Sequence, residues 1–260
     1  SYTTQQFSLQ ALWMLLGTPL AVFLLACGAA SLNSYQEREQ DALLSRTRNR
    51  PLVRKRINQQ TALAQAVILL LAGLGLLLKT GGNRAGLAGL LAVLLYNMVY
   101  TRMKRQTMYA IIPGAICGAM PPVIGFLAAG GGAENLLRAG LSALLVFFWQ
   151  IPHFLLILLL HKEDYLNGPL PNILKHLPEA SLRRILLPWL TAYTVTMLAF
   201  AALPSHLGLY SRCLILLNAG ILLGLFFRGL MGQAQPSYRI LFSSLNISIF
   251  MLMLVVALPC

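Results

Sequence analysis

The chain has 260 residues, 57% hydrophobic and 10% charged, with a net charge of +13 and a mean hydropathy of +0.70. A soluble domain carries about 25% charged residues, so too little polar side chain is present to cover a water-facing globule. A soluble enzyme, a disordered chain and a secreted disulfide scaffold do not fit. In a soluble chain this excess of base would point to nucleic acid. In so apolar a chain it points to membrane topology, and no nucleic-acid partner is expected.

Apolar runs of about 20 residues, each able to cross a hydrocarbon core of about 30 Å, take up most of the sequence. The expected fold is all-α, a polytopic membrane bundle of about eight transmembrane helices forming a single domain over 1–260. Helix A covers 9–32, B 61–79, C 85–101, D 107–129, E 137–160, F 185–203, G 208–229 and H 239–258. The loops after A, C, E and G hold 16 of the 20 basic residues; the opposite side has only Lys79, Arg84, Arg138 and Arg212. Basic residues stay in the cytoplasm, so these four loops are expected inside and both termini outside.

The acids divide the same way, although insertion does not sort acids. Glu37, Glu39, Asp41, Glu163, Asp164 and Glu179 fall inside and only Glu134 outside. Two long inner loops, 33–60 and 161–184, hold the six. Loops of that length are often functional. Pro113, Pro121, Pro122, Pro152 and Pro188 interrupt the runs, and such breaks are tolerated where neighbours or a cavity re-satisfy the backbone. The Gly114 to Ala119 stretch suits close helix approach. Cys27, Cys117, Cys213 and Cys260 lie in apolar segments without metal-ligand spacing and read as small buried residues.

At the inner end of helix A, Asn33, Glu37 and Asp41 stand at i, i+4 and i+8. Each step of four drifts only about 40° around a helix, so the three oxygens form a ladder, with Glu39 turned away toward solvent. Mg2+ takes one or two carboxylates, keeps waters and completes its shell with substrate phosphate. Arg46, Arg48 and Arg50 follow at once. Guanidinium forks beside a carboxylate ladder suit an anion held by metal and arginine together. The arginines alone read better as a positive-inside loop whose acids pair its bases, whereas Lys104 and Arg105 in the next inner loop read equally as phosphate contacts or topology anchors. Helix E ends with Gln150 and His153 within the span, where polar groups usually face a cavity or the bundle interior. Glu163 and Asp164 then open the second inner loop as candidate ligands for a second Mg2+ on the same diphosphate. A local acid–base mix with Lys162 is the alternative.

These segments resemble the UbiA superfamily of intramembrane prenyltransferases, and within it the heme O synthases, or protoheme IX farnesyltransferases. The likeness runs from about Asn33 to Pro171. It rests on Asn33 to Leu52, on Tyr100 to Gly125, and on Phe148 to Tyr165. Departures are the Glu at 37 and 39 where the family has Asp, and Ile151-Pro152-His153-Phe154 for Pro-Pro-His-Phe. The segment Gly168 to Pro171 matches only loosely. The family has nine spans, and the counterpart of the first is not among the eight read here.

The resemblance implies transfer of a farnesyl group from farnesyl diphosphate to a vinyl group of heme b, giving heme O. It implies Mg2+ held by Asn33, Glu37, Asp41, Glu163 and Asp164, and diphosphate held by Arg46, Arg48, Arg50, Lys104 and Arg105. Tyr100 and His153 would stand beside the allylic cation. A bacterial inner membrane is the expected setting. Alternatives are a UbiA-type enzyme acting on a quinone precursor, a chlorophyll-type ring or a lipid; a membrane transporter; and a catalytically dead scaffold.

Overall fold

The computed structural model describes residues 9–168, 171–203, 207–231 and 237–257, and no β-strand occurs among them. The helices are α1 (Leu9–Gln36), α2 (Arg38–Asp41), α3 (Gln59–Leu94), α4 (Thr101–Met103), α5 (Ile111–Ala128), α6 (Leu136–Leu160), α7 (Lys162–Asn167), α8 (Glu179–Ala202), α9 (Leu209–Met231) and α10 (Tyr238–Ala257). A π-helical turn, Leu95–Tyr100, joins α3 to α4. Seven helical segments among the described residues are long and apolar enough to cross a membrane. This is the integral, multi-pass all-α protein that the composition predicts.

Seven segments answer to eight expected runs because helices B and C share one of them. Gln59–Met103 has 45 residues, which as a straight helix would span about 67 Å, twice a hydrocarbon core. It does not run straight. Gly82 has φ 72° and ψ −176°, a conformation that strongly favours glycine. Beyond it the chain folds back, since a methyl group placed on Gly89 would meet the Leu77 side chain and one on Gly86 that of Leu78. Residues eight and twelve apart touch only in a hairpin.

The chain divides into two compact units: Ser1–Arg105 with Met120–Ala139, and Gln106–Ala119 with Gly140–Cys260. In the first, α1 lies antiparallel to the first arm of α3 at backbone contact. A methyl on Gly28 would stand 2.9 Å from the Leu70 nitrogen, and one on Gly73 2.8 Å from the Leu25 nitrogen. Small residues permit that approach, which dispersion then rewards. Ala21, Leu25, Leu77, Ala85 and Ala88 fill the seam, with Ile124 and Ala128 of α5. The π-turn follows and makes Thr101 Oγ1 donate to the Tyr96 carbonyl, five residues back, at 2.8 Å.

In the second unit, Leu155, Leu156, Leu182, Leu186, Tyr193, Met197, Ile215, Phe226 and Leu245 form one core shared by α6, α8, α9 and α10. Helix α8 begins at Glu179, six residues before helix F was expected. Pro178 stands at its N-cap with φ −64° and ψ 154°, and proline is well suited to the edge of a helix start. Cys27 and Cys117 are half-buried free thiols, while Cys213 is exposed rather than buried. Cys260 lies outside the described residues, as do Pro169 and Leu170 of the loosely matching Gly168 to Pro171 segment.

Candidate functional site

The ladder at the end of α1 lies wholly in the first unit. The helix frays at Glu37, yet its rise is kept: the Glu37 amide donates to the Asn33 carbonyl at 2.9 Å and the Asp41 amide to the Glu37 carbonyl at 2.8 Å. Asn33, Glu37 and Asp41 are all buried, at 6%, 2% and 4% exposure. Glu39 turns outward and pairs with Arg38 at 3.1 Å.

Two buried carboxylates cannot stay charged without partners. Lys104 Nζ donates to Glu37 Oε2 at 2.9 Å, and Arg50 Nη1 to Asp41 Oδ2 at 2.5 Å. Arg105 donates to the Gln36 carbonyl. Asn33 bridges the set. Its Nδ2 donates to Glu37 Oε2 at 3.1 Å and its Oδ1 accepts from Thr101 Oγ1 at 2.9 Å. Thr47 Oγ1 donates to the Asp41 carbonyl at 2.9 Å and ties the arginine stretch to the ladder. Arg46 and Arg48 are exposed, and Tyr100 is half-buried with its ring 5.4 Å from that of Tyr96.

Three atoms here are buried without a hydrogen bond: Glu37 Oε1, Gln40 Oε1 and Asn97 Oδ1. Among the described residues no three His, Cys, Asp or Glu side chains gather as a ready cluster. The donor set is two carboxylates and an amide, with one carboxylate oxygen unsatisfied. That fits Mg2+, which asks for few protein ligands and draws the rest from water and phosphate.

Three residues of this network were not singled out in the sequence. Thr101 and Asn97 are buried polar side chains, the latter donating to the Ala29 carbonyl at 3.0 Å and to Gln36 Oε1 at 3.3 Å. Thr47 is 2% exposed. A polar residue in an apolar run is the one local signal, and it does not name the partner.

The remaining candidates lie in the second unit. His153 is half-buried on α6 between the rings of Trp149 and Phe242, with centroids at 4.6 and 4.9 Å. Its Nδ1 lies 2.9 Å from Asn246 Oδ1. Gln150 lies against Gly118, where a side chain would collide with its amide. Gln150 Oε1 and Trp149 Nε1 are buried without partners. On α7, Glu163 is exposed and Asp164 half-buried. Lys162 pairs with neither of them but with Glu179 Oε2 at 2.9 Å, while Glu179 Oε1 accepts from Arg183 and from the Tyr238 hydroxyl, each at 2.6 Å. An apolar groove of about 390 Å³ between α9 and α10 holds none of the expected site residues.

The fold is that of a polytopic membrane protein, with a buried, base-paired carboxylate ladder at the end of one helix. The chain belongs to the UbiA prenyltransferase family, whose model matches residues 2–255. It is 38% identical over 198 residues to the protoheme IX farnesyltransferase of Nitratidesulfovibrio vulgaris, covering 76% of this chain and 69% of that one. The protoheme IX farnesyltransferase of Oleidesulfovibrio alaskensis is 34% identical over 242 residues, covering 89% and 80%. Among solved structures, the apo UbiA homolog from Aeropyrum pernix superposes with a TM-score of 0.71 at 18% identity, covering 94% of this chain and 89% of that one. The UbiA homolog from Archaeoglobus fulgidus bound to GPP and Mg2+ gives 0.67 at 19% identity, covering 96% and 88%.

Proposed function

We propose that this prenyltransferase moves a farnesyl group from farnesyl diphosphate to a vinyl group of heme b, producing heme O. The observation that carries the reading is the buried ladder of Asn33, Glu37 and Asp41, held by Thr101, Lys104 and Arg50. The names of its bacterial relatives supply the donor and acceptor. The homolog with GPP and Mg2+ supports a prenyl diphosphate and a divalent ion.

Asn33, Glu37 and Asp41 would hold Mg2+, and Glu163 and Asp164 are candidate ligands for a further ion. Bound there, Mg2+ would offset the charge that grows on the diphosphate as its bond to farnesyl breaks. Lys104 and Arg50 now neutralise Glu37 and Asp41. With substrate present, these two, together with Arg46, Arg48 and Arg105, would turn charge-assisted donors toward phosphate oxygens. Once turned to the phosphate, donors held by the surrounding network lower the barrier because no further reorganisation is needed as charge develops. The first farnesyl carbon bonds to the outer vinyl carbon, diphosphate departs, and water adds to the inner vinyl carbon with loss of a proton. Tyr100 would border the cation. The apolar helices exclude other water and take up the isoprenoid tail. In this reading the two loops lie on the cytoplasmic side of a bacterial inner membrane, which the bias of basic residues supports.

The test is incubation of purified protein with heme b, farnesyl diphosphate and Mg2+, followed by mass spectrometry of the porphyrin. A hydroxyethylfarnesyl adduct is expected. An adduct only with an aromatic acid reassigns the acceptor, and no transfer to either overturns the reading.

A further inference from the structure

The hydrogen bonding around His153 fixes its tautomer, and the tautomer decides what the ring does. Asn246 donates from Nδ2 to the Phe242 carbonyl at 2.8 Å. A carbonyl only accepts, so the amide's nitrogen must lie on that side and its oxygen on the other. That oxygen, Oδ1, stands 2.9 Å from His153 Nδ1. An amide oxygen also only accepts, so Nδ1 carries the proton and the lone pair of the neutral ring is at Nε2. Nε2 has no hydrogen-bond partner among the described residues. Its lone pair is therefore left for a ligand. Trp149 and Phe242 flank the imidazole and limit its rotation.

We propose that His153 Nε2 is an axial ligand to the iron of the heme acceptor and that Asn246 is its positioning residue. This rests on the reading of heme b as acceptor. A histidine that binds a metal through one nitrogen usually donates from the other to an oxygen that fixes its orientation and raises its basicity. The Asn246 amide, itself locked to the backbone of α10, is such an oxygen. The competing role, proton acceptor, would create an imidazolium about 10 Å along the helix from the end of the span. Iron ligation leaves the ring neutral. One turn before His153, Trp149 Nε1 is a buried donor without a partner, which an oxygen on a bound ligand would satisfy. Ligation through His153 holds the porphyrin plane at one fixed point, so the vinyl group meets the farnesyl carbon by position rather than by chance encounter.

The test uses the full chain in detergent with added heme b. Ferrous protein is expected to show an iron–imidazole stretching band in resonance Raman that shifts when the histidines are labelled with 15N. His153→Ala should abolish the band and weaken heme binding by about 10- to 100-fold, with added imidazole restoring the band. Asn246→Leu should lower the band's frequency, and Asn246→Asp, which keeps an acceptor, should preserve it. The chain has four histidines, so labelling shows that a histidine binds iron, and loss of the band in His153→Ala or, should that variant not fold, in His153→Gln assigns it to His153. Heme binding without an iron–histidine band, or with a band unchanged in His153→Ala, overturns the ligation and leaves the acceptor intact. Absence of heme binding by the wild-type chain overturns both.

Discussion

At the end of α1 the acids are sunk and paired. Glu37 and Asp41 are buried, each holds a base within 3 Å, and Asn33 of α1 braces Glu37 while Thr101 of α4 holds Asn33. At the end of α6 the order is reversed. Glu163 is exposed on the short helix α7, and the cations there converge instead on Glu179 at the start of α8. The sequence treats these two stretches alike, as acids opening a long inner loop. The structure makes the first a rigid, preorganised centre and the second a helix fastened by its neighbour. Burial accounts for the difference. A carboxylate removed from water must be answered by fixed partners, whereas an exposed one is answered by solvent and its contacts are worth little.

The contrast can be broken at several points. Asp41→Ala should have the largest effect, lowering the rate of Mg2+-dependent prenyl transfer by about 10³-fold; turnover within a few-fold of wild type would remove the ladder from the chemistry. Lys104→Ala leaves Glu37 buried and uncompensated, at a cost of about 3–5 kcal/mol. Thermal unfolding should shift down accordingly, and Mg2+ should recover part of the loss because it supplies the missing charge. A shift indifferent to Mg2+ would argue against metal at Glu37. Thr101→Val removes the hydroxyl that contacts both Asn33 and the Tyr96 carbonyl and should weaken Mg2+ affinity by about tenfold, measured by titrating the ion against activity. Smallest is Glu179→Gln, which loosens Lys162, Arg183 and Tyr238 together. A loss of about 1–2 kcal/mol in denaturant unfolding is expected for this partly exposed network, with the first-loop site unaffected.

Much of the fold is legible in the apolar runs, because a bilayer demands long uninterrupted helices and little else. The turn between helices B and C is also legible, in the polar and glycine residues around Gly81 and Gly82. Helix edges are less so: Pro178 starts α8 well before the hydropathy rises. The ladder's spacing is written locally, since Asn33, Glu37 and Asp41 repeat at the helical period. Their partners are not. Thr101 reaches Asn33 across 68 positions and Asn246 reaches His153 across 93, and no local pattern encodes which distant turn will lie alongside. The pairing of Lys162 with Glu179, not with its neighbours Glu163 and Asp164, follows from the same tertiary contact.

The π-helical turn at Leu95–Tyr100 has a consequence for how this gene tolerates insertions and deletions. Such a turn holds one residue more than regular helix needs. Because the turn absorbs that extra residue, deleting a single codon there would relax it to ordinary α geometry and leave the following helix in phase, with Thr101 and Lys104 still facing Asn33 and Glu37. A deletion from regular helix has no such slack and turns everything downstream by about 100°.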